Sequence, residues 1–178
     1  GNRLSAILDG LSKLSNIAHR ELHLRKVELR TVLLGAQLQM SNKVSNSGMR
    51  ILSDSLPSVH ADEEVMTEVV CQLLDNALKF RSESNLEVEV KAERNTDGEV
   101  LVSVRDNGIG VEPAYHQKCF MLFKRLHSQS EYPGEGVGLA YCKKAIERQG
   151  GKIWMESNVA AGVTIWFTLP AWQETGDH

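Results

Sequence analysis

The stretch from Asp62 to Lys79 constrains this chain more than any other. Asp62 is a good helix N-cap, and Glu63 and Glu64 fill the first turn, where negative charge suits the helix dipole. Val65, Met66, Val69, Val70, Leu73, Leu74, Ala77 and Leu78 then make one wide apolar face, which predicts a helix laid on a core. The residues that follow supply the other layer. Leu86, Val88 and Val90 alternate with charged residues, and so do Val100, Val102 and Val104 with their polar neighbours. Between them Asp97-Gly98 is a hairpin signal, so the two strands should pair antiparallel.

The rest of the chain fits the same scheme. Leu4, Ile7, Leu11, Leu14 and Ala18 recur at three- and four-residue steps, a narrow heptad-like seam on a first helix. Such a seam calls for a partner helix, which we favour over packing on its own domain. Arg20 to Lys26 reads as a polar linker, and Val27 and Leu29 open the globular part. Thr31 is a candidate cap for a helix carrying Val32, Leu33, Ala36 and Met40, with a turn at Asn46-Ser47-Gly48. Met49 to Leu52 and Ser58 to His60 are strand candidates. Pro113 to Phe123 suggests a short helix, and Ser128 to Gly138 a loop. Leu139 to Gln149 reads as a helix stopped by Gly150-Gly151, and Ile153 to Glu156 and Val163 to Leu169 as the last strands. Helices and antiparallel strands in this mix predict an α+β fold, a two-layer sandwich with helices on one face of a mixed sheet.

Charge and composition exclude several classes. Lys plus Arg is 20 against 23 Asp plus Glu, a formal charge of -3, so the balance is not that of a nucleic-acid binder. Apolar residues at 42% rule out wholesale disorder. No apolar run reaches membrane-spanning length, so direct membrane insertion is not expected. The three cysteines, at 71, 119 and 142, have no metal-ligand spacing and cannot all pair, which suits a reducing, cytoplasmic setting. Gly1 in place of an initiator Met suggests an excised piece of something larger.

Four clusters carry candidate chemistry. Glu68, Gln72, Asn76 and Lys79 share the polar side of the Asp62 helix, where an amide oxygen can hold a metal and an ammonium a phosphate. Asp106-Asn107-Gly108-Ile109-Gly110 follows a strand; its carboxylate can accept from a base amine while the glycines let backbone approach a ligand. Gly134-Glu135-Gly136-Val137-Gly138 runs into a helix N-terminus, a natural place for phosphate. Gly162-Val163-Thr164 opens the final strand.

In this order the clusters resemble the GHKL ATPase superfamily, and within it the catalytic domain of sensor histidine kinases. Leu73 to Arg81 looks like the N box, Asp106 to Gly110 the G1 box, Phe120 to His127 the F box, Gly134 to Leu139 the G2 box and Gly162 to Thr164 the end of the G3 box. The wording around Phe80-Arg81, Arg125-Leu126-His127 and Tyr132-Pro133-Gly134 is closest to phytochrome-like kinases. The resemblance implies a Bergerat-type site for ATP and Mg²⁺. Asn76 would coordinate the metal, Lys79 would contact a phosphate, and Asp106 would accept from the adenine amine, with Gly108 and Gly110 beside the base. Phe123 and Arg125 would help a lid close over the nucleotide. Gly134, Gly136, Gly138 and Leu139 belong to the phosphate-side box, and Thr164 would support the adenine end. Asn76, Lys79 and Arg125 would serve phosphoryl transfer.

Gln72 stands where hydrolytic relatives such as DNA gyrase place a general-base Glu. An amide cannot take that proton, so fast hydrolysis is not expected. Kinases usually have Asn there, and Ala160 and Glu135 are two further departures. The phospho-acceptor histidine is the missing half: none of the six histidines is followed by an acid or has Pro five residues on. Residues 1–22 then look like the second helix of a dimerisation hairpin and the start of its linker, 23–172 like the catalytic domain, and 173–178 like a tail. The implied partners are an acceptor-histidine helix from the same or a partner protomer, a response regulator, and a second copy in a homodimer. The competing reading is a degenerate module that keeps the fold and dimerises without kinase activity.

Overall fold

In a computed structural model the described residues are 2–121, 137–157 and 161–174. They form α1 (Asn2–His19), β1 (Arg25–Glu28), α2 (Leu29–Gln39), α3 (Ser41–Ser47), β2 (Arg50–Ser53), β3 (Ser58–Ala61), α4 (Glu63–Lys79), β4 (Glu87–Arg94), β5 (Glu99–Asp106), α5 (Gly138–Arg148), β6 (Ile153–Ser157) and β7 (Val163–Pro170). The main sheet runs β2-β4-β5-β7-β6. β2 lies parallel to β4 and the other pairs are antiparallel, so the sheet is mixed. β1 and β3 make a separate antiparallel pair, joined to the end of β7 through a bridge between Val59 and Ala171.

The layers follow from the apolar pattern. Val88, Val100, Val102, Val104, Ile165 and Phe167 point from the sheet into the core. Val65, Met66, Val69, Leu73 and Leu74 meet them from α4, which is flanked by α2 and α5. Asp62 caps α4 as expected, its Oδ1 accepting from Val65 N at 3.1 Å. Its other oxygen accepts from His23 N at 2.9 Å, while Gln149 Oε1 accepts from Asp62 N at 2.8 Å. Two buried side chains, Asp62 and Gln149, thus fasten the start of α4 to the segment after α1 and to the end of α5. This closes the polar groups that burial would otherwise leave costly.

Several boundaries differ from the sequence reading. Arg25 and Lys26 belong to β1, not to a linker, because Val27 is buried and the strand pairs with β3. α2 begins at Leu29 with no side-chain cap, so Thr31 is internal. The turn at 46–48 is the end of the short helix α3. Pro113 to Phe123 resolves, within its described part, into two 3₁₀ turns at Pro113–Tyr115 and Lys118–Phe120.

α1 uses two neighbouring stripes. Ile17, outside the seam, is fully buried, and Gly10 lies on the same side. Arg148 of α5 donates from Nη1 to the carbonyls of Ile17 at 2.9 Å and Arg20 at 2.7 Å, capping the end of α1. The seam divides: Leu4 and Leu11, with Leu8 beside them, are 59%, 39% and 56% exposed, while Ile7 and Ala18 are half-buried and Leu14 packs against the core. The helix therefore packs on its own domain, the alternative the sequence reading placed second, and leaves an exposed apolar stripe on its outer side.

Candidate functional site

The polar end of α4 and the end of β5 are built against each other. Phe80, one residue past α4, accepts through its carbonyl from Ile109 N at 2.9 Å. A side chain at Gly108 would overlap that same carbonyl oxygen, so only glycine allows the approach. Asn107 fixes the turn from the other side. Its Oδ1 accepts from Glu87 N at 2.9 Å and its Nδ2 donates to Asn85 O at 2.8 Å.

Asp106 ends β5 and is 8% exposed. Its Oδ1 accepts from Gly108 N at 2.9 Å and Val163 N at 3.1 Å. Among the described residues both donors use Oδ1 and none bonds Oδ2. Burial pushes the carboxyl above its usual range, against the opposing pull of the two backbone N–H groups. Behind it, Gly162 has φ of 75° and packs directly on the Asp106 carbonyl, a position closed to any Cβ. Ser157 Oγ donates to Gly162 O at 2.6 Å and accepts from Val111 N at 2.7 Å, tying the strand ends to the residues after the β5 turn.

At the other end, Asn76 is half-buried on α4, and nothing among the described residues hydrogen-bonds its amide. Lys79 is 41% exposed and reaches back 3.0 Å to Asp75, which Lys43 also contacts at 3.2 Å. Burial pushes the Asp75 carboxyl up, but the hydrogen bonds and charge of Lys79 and Lys43 outweigh it and hold the group below its usual range. α5 begins at Gly138, beside Gln72 of α4, with Leu139 buried behind it. A helix N-terminus suits an anion. No cluster of three His, Cys, Asp or Glu side chains is poised to hold a metal among the described residues. The donor set fits a cation that arrives on phosphate oxygens and takes one amide oxygen from the protein.

Asn76, Lys79, Asp106, Gly108, Gly110, Gly138 and Leu139 thus line the ends of α4, β5 and α5. Thr164 stands elsewhere. The register sets it between Arg105 and Glu156, on the sheet face opposite Asp106. Of the Gly162-Val163-Thr164 segment, it is Val163 N and Gly162 that meet Asp106. Phe123, Arg125, Gly134 and Gly136 lie outside the described residues, as do Glu135 and Ala160. Sequence reasoning missed the Phe80 carbonyl and the Ser157 bridge, which no motif announces. The Asp75 partner of Lys79 was readable as an i, i+4 pair.

A helix-covered mixed sheet with glycine turns converging on Asn76 and Asp106 defines the two-layer nucleotide-binding sandwich of the Bergerat type. The chain belongs to the family of histidine kinase-, DNA gyrase B- and HSP90-like ATPases, whose pattern residues 61–173 match. It is 37% identical over 94% of its length to cyanobacterial phytochrome A of Nostoc sp. and 32% identical over 94% to the phytochrome-like protein Cph1 of Synechocystis sp.. In each case it spans 22% of the relative. Among solved structures, full-length ShkA in complex with AMPPNP aligns over 97% of this chain and 37% of its own, with TM-score 0.80 at 24% identity. Histidine kinase ThkA in complex with the response regulator TrrA aligns over 96% and 48%, with TM-score 0.72 at 24% identity. At that identity the structural likeness speaks for the fold.

Proposed function

We propose that this chain is the ATP-binding catalytic domain of a sensor histidine kinase in two-component signalling, delivering the γ-phosphoryl group of ATP to a histidine on a helix outside these residues. The observation that carries the reading is the pairing of a buried carboxylate, Asp106, with a half-buried amide, Asn76, across a backbone junction at Phe80 and Gly108. Asp106 Oδ2 accepts from the exocyclic amine of adenine while Oδ1 stays on the backbone of Gly108 and Val163. Lys79 exchanges Asp75 for a phosphate oxygen, and the N-terminus of α5 faces the phosphates. Asn76 would hold Mg²⁺ through its amide oxygen; when bound, the ion neutralises charge on the phosphates. With an amide at Gln72 the site has no base for water there, so the phosphoryl group is kept for an imidazole acceptor.

The exposed seam of α1 fits the second helix of a dimerisation hairpin, and so a homodimer in the longer protein. A response regulator would take the phosphoryl group from the histidine. Residues 1–22 would serve as the second helix of that hairpin and the start of its linker, and 23–172 as the catalytic domain, in a cytoplasmic setting. A degenerate module is the weaker reading, because Asn76, Lys79 and Asp106 are all retained. Calorimetry with ATP, with and without Mg²⁺, tests the proposal. The expected result is micromolar-range binding whose Mg²⁺-dependent part disappears in Asn76→Ala. No binding, or binding indifferent to Asn76, would sink it.

A further inference from the structure

A run of contacts on the polar side of α4 reaches from α1 to the start of α5. Lys13 Nζ donates to Glu68 Oε1 at 2.9 Å, and Gln72 Nε2 donates to the same oxygen at 3.0 Å. With its nitrogen engaged there, the Gln72 amide turns its oxygen toward α5, so that a Cβ at Gly138 would lie 2.7 Å from Oε1. A second contact runs in parallel. Gly10 of α1 packs on Val137, the residue before α5, where a Cβ would lie 2.8 Å from Cγ2. α1 therefore touches both the entry to α5 and, through Glu68, the residue one turn before Asn76.

The charges make this more than packing. Glu68 shares the polar side of α4 with Asn76, two turns away, where polyphosphate is expected. Lys13 is its cationic partner, and Lys13 belongs to α1. While α1 is docked, Glu68 is compensated and holds the Gln72 amide in one sense. Without Lys13, a bare carboxylate faces incoming phosphates and loses one of the two donors that fix it. We propose that Glu68 is a positioning residue for the nucleotide site, and that Lys13 makes nucleotide binding depend on the docking of α1. By reciprocity, bound nucleotide strengthens the grip on α1 to the same extent. The inference rests on the nucleotide reading of the site given above.

The test compares the 178-residue chain with Lys13→Met, Glu68→Gln and the double variant, by calorimetric affinity for ATP with Mg²⁺ and by thermal melting. Lys13→Met should weaken binding about two- to fivefold, the scale of a partly exposed ion pair. The loss should grow at low ionic strength, where Glu68 is least screened. Lys13→Arg should restore affinity. In the Glu68→Gln background, Lys13→Met should change nothing, because no carboxylate remains to compensate. A lysine that only braces the fold would lower the melting temperature and leave affinity alone, which would overturn the inference, as would an equal loss in both backgrounds. Failure of the unaltered chain to bind ATP would defeat the nucleotide reading and this inference together. Binding that ignores Lys13 would defeat this inference only.

Discussion

Asp106→Asn separates what this side chain does for the ligand from what it does for the fold. An asparagine keeps an oxygen at Oδ1, so the bonds from Gly108 N and Val163 N survive. At the other position an acceptor becomes an NH₂ donor, which meets the adenine amine donor to donor. Loss of a hydrogen bond to a charged acceptor costs about 1.5–3 kcal/mol, or roughly ten- to 150-fold in ATP affinity. Stability should move the other way or not at all. The folded carboxyl is raised by burial, so its contribution to stability is fully present below the unfolded value, near pH ~3.9, and is lost as pH rises through the folded value. At pH 7 the ionised group is a burden that the amide removes. The assay is ATP titration by calorimetry beside a thermal melt at pH 7. A variant with unchanged affinity would refute the assignment of Asp106 to the base, and a variant that unfolds would refute the electrostatic reasoning.

Other outcomes follow from single contacts. Gly162→Ala forces a Cβ into the Asp106 carbonyl at positive φ, and should cost about 2–4 kcal/mol in urea unfolding; a loss under about 1 kcal/mol would contradict the packing described. Arg148→Met removes both caps on the end of α1 and should weaken its docking by about 1.5–3 kcal/mol, read as faster hydrogen exchange of α1 amides while those of α4 hold. Burial pushes the Cys71 and Cys119 thiols up to about 11, so both should resist iodoacetamide at pH 8 and react faster with each rising pH unit; fast labelling of the folded chain at pH 8 would contradict their burial.

The sequence was most informative where one element alone decides the outcome. α4 was readable because its cap, its first-turn acids and its apolar face agree. β4 and β5 were readable because alternation and the Asp97-Gly98 turn coincide. β1 was missed because its only apolar residue inside the strand is Val27, and its partner β3 lies some thirty residues on; no local pattern marks such a pair. That Thr164 falls on the face opposite Asp106 was hidden for a related reason. A motif gives the order of residues, but the face of a strand depends on register with both neighbours. The docking of α1 on its own domain was hidden because Gly10 and Ile17 make a stripe too sparse to stand out beside the heptad seam. Its worth comes from Val137 and Arg148, distant in sequence.

The junction at Phe80 has a consequence for how the protein tolerates change. The distance between Asn76 and Asp106 is spanned by main chain on both sides: the last turn of α4, one carbonyl, one N–H and a glycine in contact with it. No core side chain sits in that path. Repacking Val69 or Val104 with a bulkier residue would shift layers by fractions of an ångström and cost stability, yet leave this span nearly untouched. The ligand is in effect measured by a peptide gauge insulated from drift in the hydrophobic interior. Substitutions in the core should therefore lower melting temperature well before they alter the preference for one nucleotide over another.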